Sequence, residues 1–356
     1  MLKARAIALY LPQFHPIPEN DKWWGAGFTE WTNTAKRRPM FRGHYQPHVP
    51  ADLGFYDLRL PDARAKQAEM ARSFGIEGFC YYHYWFAGRR ILNRPFDEVL
   101  ASGAPDFPFC LCWANESWSG IWHGAPNTVL IDQTYPGEPD HRAHFAELLP
   151  AFRDHRYIRV DGKPLFLIYR PFKLPDAERV LTLWRTMALE AGLGGLHIVA
   201  NSTAIKENPV AIGFDAVMRG PDFKLRDWAR GWRDPLARVR QSVNSRRGLP
   251  HVYKFSEMAQ RSRPQRETIP SYPCIVHAWD NTPRSGSRGV VYKNPDPKYF
   301  RDLLVAGIEA VSDSPPDQRL IFLKSWNEWA EGNHLEPDLR YGTRYLQVVA
   351  DVLKDG

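Results

Sequence analysis

The stretch Leu320-Ile321-Phe322-Leu323-Lys324-Ser325-Trp326 is a short and nearly continuous apolar run. Runs of this kind are typical of parallel strands that are buried on both faces of a sheet. Similar runs precede it along the chain, at residues 6–14, 78–86, 107–114, 164–169, 196–200, 214–218 and 274–279. The intervals between the runs leave room for helices, which predicts a parallel sheet built from repeated strand–helix units.

Amphipathic helical patterns occupy several of these intervals. They span residues 62–74, 139–152, 176–191, 297–311 and 344–353. Eight strands favour a closed barrel over an open doubly wound sheet, and no glycine-rich phosphate-binding motif follows any of them. The sequence therefore predicts an α/β fold, a single (β/α)8 TIM barrel with long active-site loops at the C-terminal face.

One barrel domain is expected over residues 1–356, with two long connections. The first, residues 16–60, is rich in aromatic side chains and is predicted to be functional. The second is a basic insertion at about 220–271, which we interpret as a solvated loop or helix face. A landing surface for an acidic glycan, a phospholipid headgroup or a nucleic acid is the alternative, but no motif supports it. Because the net charge of +7 is modest and spread out, no nucleic-acid partner is expected.

Cysteine usage and the first residues bear on the compartment. The four cysteines each lie inside an apolar run, which predicts free buried thiols and a reducing compartment. The apolar run that follows Arg5 is too short for a signal-peptide core, and no run reaches the ~20 apolar residues of a membrane span. A cytoplasmic protein without a transmembrane segment is therefore expected. The sequence predicts no particular oligomeric state.

Active sites of TIM barrels lie at the C-terminal ends of the strands, where this sequence concentrates aromatic and polar residues. Flat aromatic faces beside amide, imidazole and carboxylate groups suit a sugar, which has an apolar face and a rim of hydroxyls. We therefore predict a polysaccharide or oligosaccharide substrate. The candidate binding residues are Tyr10, Trp23, Trp24, Glu30, Trp31, Tyr45, His48, His83, Tyr84, Trp85, Trp113, Asn115, Glu116, Tyr169, Arg170, Asn201, Trp279, Asn327, Trp329 and Glu336.

The strongest local signal is a pair of glutamates, Glu328 and Glu331, just beyond the last predicted strand. Residues three apart can share one face of a turn, with Cβ atoms about 5–6 Å apart. Retaining glycosidases hold their two carboxyl groups about 5–5.5 Å apart. Two close carboxylates also raise one pKa, so that one can act as an acid while the other stays ionised. We predict that this pair is catalytic, and that Gly332 allows the chain to leave the site sharply.

Several longer motifs resemble those of the WbsX-type proteins. They are LPQFH at 11–15, GFTEW at 27–31, GHYQP at 43–47, YHYWF at 82–86, CWANE at 112–116 and WNEWAEG at 326–332. Proteins of this type occur in bacterial surface-polysaccharide gene clusters and are often described as glycosyltransferases. They are also described as similar to glycoside hydrolase family 99, the endo-α-mannosidases. The resemblance covers nearly the whole chain and is weakest at about 226–270.

The family 99 pattern N-E-W-x-E-G is matched at residues 327–332. This resemblance implies a retaining mechanism in which Glu328 takes the proton of the substrate's own 2-hydroxyl, whose oxygen attacks C1 to form a 1,2-anhydro sugar. Glu331 would protonate the leaving oxygen and then deprotonate the water that opens the epoxide. The chemistry requires O2 to be trans to the leaving group, as in α-manno-configured sugars and rhamnose. Ala330 stands where those hydrolases often carry histidine, which leaves the sugar open.

The leading hypothesis is a retaining, endo-acting glycoside hydrolase on a bacterial α-mannose- or rhamnose-type surface polysaccharide. It requires no cofactor and no metal, and His141 and His144 are interpreted as surface histidines of a helix. The first alternative is a glycosyltransferase of O-antigen or surface-polysaccharide biosynthesis. No nucleotide-binding signature or D-x-D motif supports it, although a lipid-linked donor needs neither. The second alternative is a non-catalytic carbohydrate-binding barrel, against which the retention of both carboxylates argues.

Overall fold

A computed structural model describes residues 3–120, 129–202, 207–221 and 246–354 of the chain. The central part of the predicted basic insertion, residues 222–245, lies outside the described residues. The core of the fold is a sheet of parallel strands. In chain order, β1 to β8 are Arg5–Tyr10, Gly78–His83, Phe109–Trp113, Lys163–Ile168, His197–Asn201, Ala216–Arg219, Ser271–Val276 and Leu320–Lys324.

This sheet closes on itself. Each strand pairs in parallel with the next one along the chain. The last strand, β8, pairs in parallel with β1, with Ala6 opposite Ile321 and Ala8 opposite Leu323. Nearly all residues of both strands are buried, which explains their continuous apolar sequence. The predicted (β/α)8 TIM barrel is therefore confirmed.

Helices surround the barrel and also occur in its C-terminal loops. In chain order, α1 to α10 are Pro18–Trp24, Glu30–Lys36, Pro61–Ser73, Arg94–Ser102, Glu138–Arg153, Ala177–Glu190, Phe255–Arg261, Thr282–Ser285, Pro297–Val311 and Arg344–Lys354. The five helices predicted from the sequence, α3, α5, α6, α9 and α10, agree with the structure to within one residue at each end. The sequence prediction missed α1 and α2, which lie in the loop 16–60, as well as α4 and the short helix α8.

Short strands add to the loops. They are Trp85–Phe86 with Arg89–Arg90, Trp118–Ser119 with Val129–Ile131, His251–Lys254 with Val290–Lys293, and Arg159–Val160 beside β4. The four cysteines are free and buried, as expected. Within the part of the chain that the structure describes, no helix is long and apolar enough to cross a membrane.

The interpretation of His141 and His144 as surface residues is wrong. Both are buried, because α5 turns this face toward the barrel. The ring of His144 stacks on Trp85 with centroids 4.7 Å apart, and its Nε2 lies 2.8 Å from Nε2 of His83. From the sequence alone, the charged residues on the opposite face of α5 do not show that these two histidines lie on its packed face.

Candidate active site

The two predicted catalytic carboxylates lie on a tight turn beyond β8. Glu328 precedes a 3-10 turn, Trp329–Glu331, which ends at Gly332 with φ of 65°. A Cβ atom at this glycine would lie 3.0 Å from both Cβ and the backbone nitrogen of Asp280. Glycine is therefore needed here for its left-handed backbone and for its small size. The sharp exit of the chain predicted at Gly332 allows the turn to pack closely against Asp280, which follows β7.

Both carboxylates face a cavity of about 720 Å³ at the C-terminal ends of the strands. This volume includes the solvent-filled mouth of the cavity. The cavity is lined by Leu11, Gln13, Glu30, Tyr82, Tyr84, Ala114, Glu116, Ser117, Trp118, Tyr169, Arg284, Lys324, Glu328 and Glu331. Of the candidate residues from the sequence, the structure thus brings together Glu30, Tyr84, Glu116, Tyr169 and the catalytic pair.

A single arginine bridges the acidic residues of the cavity. The guanidinium of Arg284 lies 2.9 Å from Oε2 of Glu328 through Nη2 and 2.9 Å from Oε1 of Glu331 through Nη1. Its Nε also donates to Oε1 of Glu30, at 2.7 Å. The side chain is only 8% exposed, so these ion pairs are shielded from water. Arg284 therefore holds Glu328, Glu331 and Glu30 around one planar cation.

Arg284 is positioned by the short helix α8 and by Asp280, which stands before it. Oδ1 of Asp280 accepts hydrogen bonds from the backbone nitrogen and the hydroxyl of Thr282, at 3.0 and 2.7 Å. The backbone nitrogen of Asp280 donates to the carbonyl of Glu331, at 2.7 Å. Burial raises the pKa of Asp280, but hydrogen bonds from His44 and other donors outweigh it, so the net shift is downward. This ionised carboxylate joins the start of α8 to the catalytic turn.

The charges of the cavity shift the pKa of Glu328, the first of the two predicted catalytic glutamates. Burial and the neighbouring charge of Glu331 raise the pKa of Glu328 to about 7, against the opposing effects of Arg284 and Lys324. Nζ of Lys324 lies 3.8 Å from Oε2 of Glu331, and the nearby carboxylates raise the pKa of this lysine despite its burial. Below about pH 7 the free site therefore favours a proton on Glu328.

Glu30 adds a third carboxylate from the loop 16–60. It is the first residue of α2, which Thr29 and Thr32 cap, and its backbone nitrogen donates to the carbonyl of Gln13 at 3.0 Å. Burial raises the pKa of Glu30, while Arg284 opposes the shift. The long aromatic loop therefore supplies a buried acid to the cavity.

Several candidate residues support the cavity from behind instead of lining it. Tyr10 donates to Gln67 of α3 at 2.7 Å, and its buried ring lies in the barrel wall. His83, Trp85 and Trp113 pack around His144 of α5. These side chains are buried because the C-terminal ends of β2 and β3 also carry the contacts between barrel and helix.

Other candidates bridge neighbouring loops. Asn115 pairs with the backbone of Arg170, accepting from its nitrogen at 2.7 Å and donating to its carbonyl at 2.9 Å. Arg170 forms an ion pair with Glu116, and Asn201 donates to the carbonyl of Tyr169.

The remaining candidates contact the loops or a second cavity. Trp31 donates a hydrogen bond to the backbone carbonyl of Tyr56, and Trp329 donates one to Glu336. Trp23 packs near Trp118, and Trp24 packs near Phe28. Tyr45, His48, Trp279 and Glu336 line a second cavity beside the first.

Asn327 closes the barrel at the site and was predicted to bind substrate. The structure places its buried amide against the end of β1, where it accepts from the nitrogen of Leu11 at 2.7 Å and donates to the carbonyl of Leu11 at 3.0 Å.

Replacing Asn327 with Ala leaves both backbone groups of Leu11 unpaired, each at a cost of about 1–3 kcal/mol. We expect urea unfolding to show a loss of roughly 2–4 kcal/mol in the free energy of unfolding. An unchanged unfolding midpoint would contradict this role.

The sequence prediction missed Arg284 and Lys324, the two cations among the described residues of the cavity lining. Lys324 had a visible signal, since it is the one charged residue within the apolar run of β8, and a buried lysine needs a charged partner. Arg284 follows the predicted strand end at Trp279 by only a few residues, but nothing local links it to carboxylates far away in the chain. Tyr82, Gln13, Ser117 and Trp118 also line the cavity and were not among the candidates.

Comparisons with known proteins extend these observations. The family model described as glycosyltransferase WbsX matches residues 6–349. Two curated relatives from strains of Xanthomonas campestris pv. campestris, each called uncharacterized protein WxcX, are 40% identical over 355 residues. The matched region is 99% of this chain and 50% of each relative, so the chain spans about half the length of the curated relatives it matches.

Solved structures share the fold at low identity. A protein called glycoside hydrolase-like is 17% identical with a TM-score of 0.61, over 99% of this chain and 94% of its own. The GH99 endo-alpha-mannosidase from Bacteroides thetaiotaomicron is 16% identical with a TM-score of 0.61, over 100% of this chain and 98% of its own. At such identities the likeness establishes the barrel fold alone. The family match over nearly the full length, together with the 40% identical relatives, shows that this chain belongs to the WbsX glycosyltransferase family.

Proposed function

We propose that the protein is a retaining, endo-acting glycoside hydrolase that cleaves an α-manno-configured linkage, of mannose or rhamnose, in a bacterial surface polysaccharide. The observation that carries the proposal is the pair Glu328 and Glu331, buried side by side on one guanidinium at the C-terminal face of the barrel. The sequence motif at 327–332 and the shared fold with an endo-alpha-mannosidase support the same chemistry.

The lining of the cavity supports a sugar substrate. Tyr82, Tyr84, Trp118 and Tyr169 supply aromatic surface for the apolar face of a pyranose. Burial raises the pKa of Tyr82 and Tyr84, so both phenols stay neutral and can donate to sugar hydroxyls. The cavity combines these donors with the amide of Gln13 and so offers both surfaces that a sugar presents.

The proposed reaction has two steps. In the first, Glu328 takes the proton of the 2-hydroxyl, O2 forms a bond to C1, and the glycosidic bond breaks as Glu331 protonates the leaving oxygen. In the second, Glu331 accepts a proton from water, the water oxygen attacks C1, and O2 regains its proton from Glu328 as the epoxide opens. Two inversions at C1 give net retention. Arg284 stays beside both carboxylates and limits the cost of holding their charges together.

The rate should depend on pH through Glu328. Because a base must be ionised, and the pKa of Glu328 is raised to about 7, kcat/KM should rise as pH increases through about 7. Initial rates on one oligosaccharide between pH 5 and 9 measure this limb. A fall of kcat/KM through the same pH, with no rising limb, would assign Glu328 as the acid and reverse the two roles.

The direct test is depolymerisation of a panel of α-mannans and rhamnose-containing surface polysaccharides. Size-exclusion chromatography should show internal cleavage, and proton NMR of the earliest product should show the α-anomer before it mutarotates. A first product with the β-anomer would contradict retention. Absence of fragments from every polymer in the panel would count against the hydrolase.

The family description favours glycosyl transfer as a second candidate. The same cavity would then bind a donor sugar on a lipid diphosphate carrier, and an acceptor hydroxyl would replace water. Incubation with lipid-linked oligosaccharides distinguishes the two functions: chain extension that requires the donor supports transfer, and release of free reducing sugar supports hydrolysis.

A further inference from the structure

A cluster of two histidines and an aspartate lies beside the catalytic turn, outside the site described above. Nδ1 of His48 is 2.8 Å from Nε2 of His334, and Oδ2 of Asp338 lies 4.0 Å from the first nitrogen and 3.8 Å from the second. All three side chains are buried, with 7%, 5% and 3% exposure in that order. The sequence does not suggest this group, because His48 and His334 are 286 residues apart.

The three atoms have the separations of a metal coordination shell. A point in their plane lies about 2.1 Å from each, which matches the lengths of Zn–N and Zn–O bonds, about 2.0–2.2 Å. A tetrahedral ion lies out of this plane and needs donors about 3.4 Å apart, so binding must draw the two ring nitrogens apart and the carboxylate inward. The carboxylate oxygen is too far from either ring nitrogen for a hydrogen bond. A direct hydrogen bond explains the two rings, and the carboxylate of Asp338, which also interacts with the phenol of Tyr45, faces them without a hydrogen bond to either ring.

Neighbouring groups fix the orientation of these ligands. Nδ1 of His334 lies 2.8 Å from the carbonyl of Glu336, so it carries the proton and leaves the lone pair of Nε2 facing the cluster. Oδ1 of Asp338 accepts from the backbone nitrogens of Arg340 and Tyr341, at 2.9 and 2.6 Å, which turns Oδ2 toward the rings. Second interactions of this kind commonly orient protein ligands around a metal ion.

The two segments that carry the ligands are already joined. The backbone nitrogen of Ala51 donates to the carbonyl of Pro337 at 2.9 Å, and that of Leu339 donates to the carbonyl of Val49 at 3.0 Å. The three side chains also line the second cavity, which opens to solvent and would admit an ion and a water ligand. The polypeptide therefore holds the three donors together without needing a metal to fold.

We propose that His48, His334 and Asp338 bind a divalent transition-metal ion, zinc in the first instance, with water as the fourth ligand. Two imidazoles, one carboxylate and an open position suit zinc in a tetrahedral site. The ion ties the loop 16–60 to the segment after β8. The ring of His334 stacks on Trp329 with centroids 3.6 Å apart, so the ion braces the turn that carries Glu331. The proposal does not depend on the reaction that the protein catalyses.

The test uses protein without a histidine tag, treated with chelator, loaded with zinc and desalted. Mass spectrometry of the metal should find about one zinc per chain for the unmodified protein and none for His48→Gln and Asp338→Asn. Loaded with zinc at about 100 times the dissociation constant, the unmodified protein should melt roughly 4 °C higher than its zinc-free form. Neither ligand variant should respond to zinc. The matched control is His197→Gln, because His197 is a buried histidine bonded to Tyr272 in the barrel, remote from the cluster.

Cobalt gives a readout that a purely structural role of the histidines would not change. The cobalt form should show visible absorption typical of four-coordinate Co²⁺ in the unmodified protein and in His197→Gln, and not in the two ligand variants. The proposal is overturned if the unmodified protein retains no zinc and its melting temperature does not respond. Equal zinc retention by His48→Gln, Asp338→Asn and the unmodified protein would overturn it as well.

Discussion

Replacing Glu331 with Gln is expected to lower kcat/KM by roughly 10²–10⁴-fold, the usual cost of losing general acid–base catalysis. The same loss is expected for Glu328→Gln. Both changes conserve size, and the remaining carboxylates still neutralise Arg284, so the fold should survive. Initial cleavage rates on the most active polymer measure the effect, with circular dichroism to verify folding.

The choice of leaving group separates the two roles. A glycosyl fluoride needs little protonation on departure, so Glu331→Gln should regain much of its rate on that substrate while Glu328→Gln should not. The control is Glu77→Gln, because Glu77 forms an ion pair with Arg5 at the opposite end of the barrel and should change little. Full activity in both catalytic variants would remove the pair from the mechanism.

Replacing Arg284 with Met is expected to damage both stability and activity. It leaves Glu30, Glu328 and Glu331 buried without their shared partner, and removing one member of a buried ion pair costs about 3–5 kcal/mol. Urea unfolding measures this loss. Because Arg284 opposes the raised pKa of Glu328, the rising limb of kcat/KM should also move to higher pH. If Arg284 had only a structural role, the pH at which kcat/KM rises would not change.

A second substitution tests whether the loss arises from uncompensated charge. Combining Arg284→Met with Glu30→Gln removes one stranded carboxylate, so part of the lost free energy of unfolding should return while activity stays low. Arg284→Lys retains the charge but cannot reach three carboxylates at once. Its free energy of unfolding and its activity should therefore lie between those of the unmodified protein and those of Arg284→Met. Strictly additive effects of the first two changes would show that Arg284 and Glu30 act independently.

Much of the barrel could be predicted from sequence because burial on both faces imposes a simple pattern. The run at 320–326 contains β8, and the helical pattern at 297–311 coincides with α9, since apolar periodicity reports directly which faces are buried. The helix α4 was missed because it is only nine residues long, although Phe96 and Val99 form a buried face at helical spacing. The misassigned His144 shows the limit of the method, since a histidine on a packed face and one on an exposed face look alike in sequence.

The chemistry of the cavity was only partly predictable. Glu328 and Glu331 are three residues apart and follow a strand, so the local sequence pattern was enough to select them as candidates. Arg284 gains its importance from carboxylates 44 to 254 residues away, which only the closed barrel brings within reach. Candidate aromatic residues such as Trp113 are buried, because strand ends hold both the lining of a cavity and the packing beneath it.

The closure of β8 onto β1 has a consequence for biosynthesis. The strand that seals the barrel is followed directly by the turn with both proposed catalytic glutamates, and Asn327 completes the seal at Leu11. A nascent chain that has emerged only as far as β7 has an open edge on β1 and lacks these glutamates. Any activity that depends on the pair therefore begins only when the ring is complete, and an intermediate lacking β8 would expose two unpaired strand edges to chaperones or to aggregation.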